Sequence, residues 1–96
     1  MPRISQEKEK RIKESILHLL FNNSPKMLFT VQVAKELARD EEYIKKLLLD
    51  LHDSNFVIPI KQNSNGQEYS RRIRWRLSNK AFETYKNITD RENRFL

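Results

Sequence analysis

The stretch TVQVAKELARDEEYIKKLLLDLHDSNFVIPI, residues 30–60, decides the fold. Ala34 and Leu37 share one face of a short helix, and Thr30 is placed to cap its N-terminus. Ile44, Leu48 and Leu51 recur at helical spacing on a second helix, which Asp40 can cap. Asn55 stands where the chain must leave that helix in left-handed geometry, a position usually held by Gly. Phe56-Val57-Ile58-Pro59-Ile60 follows at once and reads as a strand. The spacing therefore predicts helices over 31–38 and 41–54, with the second running straight into extended chain.

Downstream, Asn63-Ser64-Asn65-Gly66 supplies a turn, and Gly66 is the one glycine of the chain. An Asn-Gly pair is suited to a tight reversal, so the hairpin tip is expected at 64–66 and the whole hairpin over 56–77. The run Arg71-Arg72-Ile73-Arg74-Trp75-Arg76-Leu77 alternates cation and apolar residue. Strand periodicity puts Ile73, Trp75 and Leu77 on the core side and Arg72, Arg74 and Arg76 on the other. Trp75 is expected in the core with its ring edge exposed.

Upstream, the pattern predicts a helix over 5–22 with Ile12, Ile16, Leu19 and Leu20 as its buried face. Leu17 and Phe21 widen its apolar surface, and Pro25 marks its end by disfavouring helical geometry at the preceding residue. Met27-Leu28-Phe29 is a candidate minimal strand. Ser78 can cap a last helix over 79–90, along one side of which lie Ala81, Phe82, Tyr85 and Ile88. The chain closes on Phe95-Leu96, either a frayed end or a small docking point.

Composition sets the frame for function. Ninety-six residues, 33% charged and 38% hydrophobic, make one domain over 1–96 with a modest core. No apolar run approaches the roughly 20 residues of a membrane span, and Met1-Pro2-Arg3-Ile4-Ser5 has no secretory core. The absence of Cys excludes disulfides and thiolate metal sites and fits a reducing, cytoplasmic or nucleoid-associated location. Asn22-Asn23-Ser24 and Asn87-Ile88-Thr89 match the glycosylation pattern by chance on this reading.

Net charge is +6, with a pI near 9.8. Between residues 61 and 80, six cations (Lys61, Arg71, Arg72, Arg74, Arg76, Lys80) stand against one anion, Glu68, a local excess of +5. So concentrated a basic stripe is the electrostatic footprint of a phosphate binder, although a solvated face can carry the same charge.

Helix, short strand, helix, helix, strand, basic loop, strand, helix: that order, carried by the residues above from Ser5 to about Ile88, resembles the winged helix-turn-helix. In particular it is similar to the stand-alone winged-helix transcription regulators of archaea, their viruses and bacteria. The fold class implied is α+β, mainly α, with a three-helix core, a β-hairpin wing and an extra C-terminal helix. The resemblance makes 41–54 the recognition helix, lying in a DNA major groove while the wing rides on the neighbouring backbone. Carried over by position, Glu42, Tyr43, Lys45, Lys46 and Leu49 would face the groove. Lys61, Arg71, Arg72, Arg74 and Arg76 would serve the backbone from the wing and its strands. Trp75 also matches the wing Trp of the winged-helix domains that bind Z-form duplexes. Lys45 and Leu49 replace the Asn and Tyr of that subfamily and its wing prolines are missing, so that reading is set aside.

One feature strains the expectation. From Asp40 to Asp53 the recognition helix carries five acids (Asp40, Glu41, Glu42, Asp50, Asp53) and two lysines, a net −3 that phosphates repel unless the acids cap or point away. Capping suffices for Asp40, Glu41 and Glu42, since acids favour the first turn of a helix.

Catalysis is not expected. His18 and His52 lack neighbours at ligand spacing, and there is no Gly-rich phosphate loop or nucleophile–base set. The sequence reading is a non-enzymatic, cofactor-free and metal-free DNA-binding regulator whose partner is double-stranded DNA, with no membrane and no small-molecule substrate. It is also expected to be a homodimer built on Leu17, Phe21, Phe82, Tyr85 and Ile88, whose apolar surface exceeds what one stripe per helix requires, the alternative being that Leu17 and Phe21 wrap the last helix within one chain. The competing readings are a protein-interaction module, favoured by the acidic helix and by Leu17, Phe21, Leu47 and Leu49, and an RNA- or ribosome-associated winged helix.

Overall fold

The computed structural model describes residues 6–61 and 73–93. Within them the chain forms α1 (Gln6–Asn23), β1 (Leu28–Phe29), α2 (Thr30–Glu36), α3 (Glu41–Asp53), β2 (Val57–Ile60), β3 (Arg74–Leu77) and α4 (Asn79–Asn93). The fold is a winged helix: mainly α, with a small antiparallel sheet. Wing tip 64–66, the cations Arg71 and Arg72 and the terminal Phe95-Leu96 lie outside the described residues.

The core forms where α1, α2 and α3 meet the inner face of the sheet. Ile12, Ile16 and Leu20 recur every fourth residue on α1 and are buried, as are Ile44, Leu48 and Leu51 on α3. Three expectations shift. Leu17 joins the core while Leu19 only packs at its margin, because α4 crosses α1 on the Leu17 side. Leu47, one of the surplus apolar residues of the sequence reading, is fully buried. Trp75 has no exposed ring edge, being enclosed between α1 and the other strands.

Asp40 caps α3 as expected, its carboxylate accepting the Tyr43 N–H at 3.1 Å. Thr30 does not cap α2. It is already helical, and the extended residue before the helix is Phe29, whose N–H is taken by Gln32 Oε1 at 2.8 Å. The Thr30 hydroxyl instead accepts the indole N–H of Trp75 at 2.8 Å.

Both helices of the motif end in the same way. Asn55 is left-handed at φ 67°, with its N–H on His52 O and that of Phe56 on Leu51 O, each at 2.9 Å. At the end of α2, Ala38 repeats this at φ 53°, with Ala38 N–H to Lys35 O at 3.2 Å and Arg39 N–H to Ala34 O at 3.0 Å. Each paired closure satisfies two end carbonyls and turns the chain sharply. The first was legible from Asn55. The second was hidden, because Ala carries no left-handed signal.

The sheet order is β1-β3-β2, all antiparallel. Leu28 lies opposite Trp75, and Val57 opposite Leu77, on the buried face. The other face carries Arg74 between Phe29 and Ile60, and Arg76 opposite Ile58. Ser78 then caps α4, its hydroxyl accepting the Ala81 N–H at 3.1 Å.

Candidate nucleic-acid interface

Helical spacing and burial together sort the side chains of α3. Ile44, Leu47, Leu48 and Leu51 face inward. Glu41, Glu42, Lys45, Lys46, Leu49, His52 and Asp53 are exposed, so the outward surface carries two lysines, three carboxylates, one histidine and one leucine. Two of the five acids that strained the sequence reading are engaged within the chain. Asp40 is the cap, and Asp50 is turned to α1, where it lies 3.6 Å from Lys13 Nζ. Lys13 also lies 3.5 Å from Glu9 one turn back on α1. With Asp40 and Asp50 so engaged, the remaining exposed side holds Glu41, Glu42 and Asp53 against Lys45 and Lys46, a net −1 rather than −3.

Tyr43 does not belong to that side. Its ring packs on the core, and its hydroxyl is enclosed without a hydrogen-bond partner among the described residues. Burial, followed by the nearby Glu9 carboxylate, raises its phenol above the ordinary value of 10.0, with Arg39 and Lys13 opposing. The residue one step before Ile44 turns toward α1, so of the expected groove residues Glu42, Lys45, Lys46 and Leu49 are the exposed ones.

The strands supply the second part of the surface. Arg74 and Arg76 share the outer face of β3 as the alternation requires, and their aliphatic stems share it with Ile58 and Ile60. Arg76 donates a hydrogen bond from its guanidinium to Leu77 O at 3.0 Å. Lys61 is exposed directly after β2. The helix and the strands are joined by short connections. His52, on the last turn of α3, places Nδ1 3.1 Å from Val57 O, and Ser78 N–H reaches Phe56 O at 2.9 Å.

The residues expected at a dimer interface are mostly engaged within the chain. Leu17 is buried, while Phe21 packs against Phe82 and Tyr85 with ring centroids 5.4 and 5.7 Å apart. Burial and the Glu14 carboxylate raise the Tyr85 phenol above its ordinary value. Ile88 remains outward, 48% exposed. Among the described residues, no group of three His, Asp or Glu side chains is placed to hold a metal ion. No described helix is long and apolar enough to cross a membrane.

No family model matches the sequence, and none of the curated proteins is detectably similar to it. Solved structures are similar in fold. A variant of Lactococcus lactis ZitR in apo form superposes with a TM-score of 0.68 at 21% identity, covering 93% of this chain and 62% of that one. A MepR variant from a multidrug-resistant S. aureus clinical isolate gives 0.67 at 18% identity, covering 82% of this chain and 54% of the other. The S. aureus MepR–DNA complex gives 0.67 at 20% identity, covering 91% and 71%. The chain thus spans only 62% and 54% of the first two of these chains.

Proposed function

We propose that the protein is a transcriptional regulator that binds duplex DNA without catalysis, inside the cell, using α3 as reader and the β3 strand with its wing as phosphate clamp. One observation carries the reading. Two of the five acids, Asp40 and Asp50, are drawn off to a cap and to an ion pair with α1, which lowers the acid excess of the helix and leaves Lys45 and Lys46 exposed beside Glu41, Glu42 and Asp53. Its similarity in fold to a MepR chain solved with DNA supports the same conclusion. On this reading Lys61, Arg71, Arg72, Arg74 and Arg76 neutralise phosphates, while Glu42, Lys45 and Lys46 meet base edges.

The deciding experiment is a fluorescence-anisotropy titration of a random-sequence duplex at several salt concentrations, with structured RNA as competitor. The expected result is binding that weakens steeply with salt and resists RNA competition. Preferential displacement by RNA would transfer the function to RNA. Absence of binding even at about 50 mM salt, where counterion release strongly favours association, would leave the protein-interaction module.

Pairing of two copies is part of the proposal. Ile88 and the outer edge of Tyr85 would form its centre, since Leu17, Phe21 and Phe82 are used within the chain. A two-fold pair would present α3 to half-sites roughly 34 Å apart. Sedimentation equilibrium at tens of micromolar tests it against the 11.6 kDa monomer.

A further inference from the structure

Four large apolar side chains are exposed among the described residues: Val31, Leu49, Phe56 and Ile88. Leu49 alone lies on α3, where the other apolar side chains of the inward stripe are at most 4% exposed while it is 44% exposed. Its helical neighbours are Lys45 and Lys46 one turn before and His52 and Asp53 one turn after, all exposed. A partner protein would need a contiguous apolar patch, and on its helix this leucine is flanked by polar and charged side chains instead. A single apolar contact flanked by cations matches the edge of a base pair, where the thymine C5-methyl is the apolar group that the major groove presents.

We infer that Leu49 is a specificity-determining residue that reads a thymine methyl, an inference that rests on the duplex-binding role proposed for α3. The geometry also sets where that thymine lies. Three or four residues separate Leu49 from Lys46 and Lys45, which is about 4.5–6 Å along the helix at 1.5 Å per residue. With roughly 3.4 Å between successive bases of a strand, the thymine lies about one to two steps from the bases met by the lysines. A helix about 10–12 Å wide fills the major groove, so both contacts can be made at once.

Uracil substitution tests this, because it removes only the methyl group. The preferred duplex is first selected from a random library with the full chain. Each thymine is then replaced singly by uracil and binding is measured by anisotropy. One position, about one to two steps from the base pair whose preference is relaxed by Lys46→Ala, should weaken binding about fourfold, the equivalent of roughly 0.8 kcal/mol for one methyl-sized contact. Leu49→Ala should lose that dependence while keeping its helical circular dichroism, since the side chain is outside the core. Binding with no uracil-sensitive position, or an unchanged dependence in Leu49→Ala, overturns this inference and leaves the DNA-binding role standing. Failure to bind any duplex overturns both.

Discussion

Trp75 donates its indole N–H to the Thr30 hydroxyl across 2.8 Å, joining the middle strand of the sheet to the first residue of α2 across 45 positions of sequence. Trp75 is fully buried, so its N–H has no recourse to solvent. Thr30→Val keeps the shape and removes the acceptor, leaving a buried donor unpaired. The expected loss is about 1–3 kcal/mol of unfolding free energy, measured by urea denaturation, and Thr30→Ser should recover most of it.

The left-handed residues that close α2 and α3 differ in how well they suit the role. Ala38 sits at φ 53°, where its Cβ crowds the following carbonyl at a cost of roughly 1–2 kcal/mol. Ala38→Gly should relieve that cost, offset by roughly 0.5–1 kcal/mol of extra unfolded-state entropy. A net gain of about 0.5 kcal/mol is expected. At φ 67°, Asn55→Ala should instead destabilise by about 1 kcal/mol. Thermal melts of the two variants should shift in opposite directions.

The phenols of Tyr43 and Tyr85 both titrate above 10.0, chiefly because burial disfavours the phenolate. Since the folded-state values are raised, the stabilising contribution is fully present below pH 10 and is lost as pH rises through the folded values. Denaturation midpoints should hold up to about pH 10, the unperturbed phenol value, and fall beyond it. Ultraviolet titration should show delayed ionisation of both rings. Tyr43→Phe removes an enclosed hydroxyl that lacks a partner among the described residues, so its stability at neutral pH should equal or exceed that of the parent.

Arg74 and Arg76 lie together on the outer face of β3. If both meet phosphates, replacing them with Gln should reduce the slope of log K against log salt by about 1.8, at roughly 0.9 per contact. The selected sequence motif should not change, because phosphate contacts position the protein without reading bases. A variant that keeps the parent slope would remove these two arginines from the interface.

The caps at Asp40 and Ser78, the turn at Asn55 and the alternation along β3 were legible because each depends on residues a few positions apart. The misplacements share the opposite property. Thr30 has the chemistry of a cap, but its hydroxyl is claimed by a tryptophan distant in sequence, and Gln32 takes the backbone N–H that a cap would not reach. Tyr43 borders the outward face of α3, and only the position of α1 decides that its hydroxyl is enclosed. Leu17 and Phe21 were read as surplus because periodicity shows how wide an apolar face is, without showing that α4 covers it. Leu17→Glu is accordingly expected to unfold the chain rather than to separate two copies.

The place of β3 between β1 and β2 has a thermodynamic consequence for whatever meets its outer face. Arg74 and Arg76 alternate with Trp75 and Leu77, whose side chains are locked in the core. Their backbone is held by hydrogen bonds on both flanks, so its conformational freedom disappears when the chain folds. Association then has only side-chain rotamers left to restrict at these positions. Charge on this strand thus behaves as part of a rigid surface, whose attraction for a polyanion is already oriented before the two molecules touch.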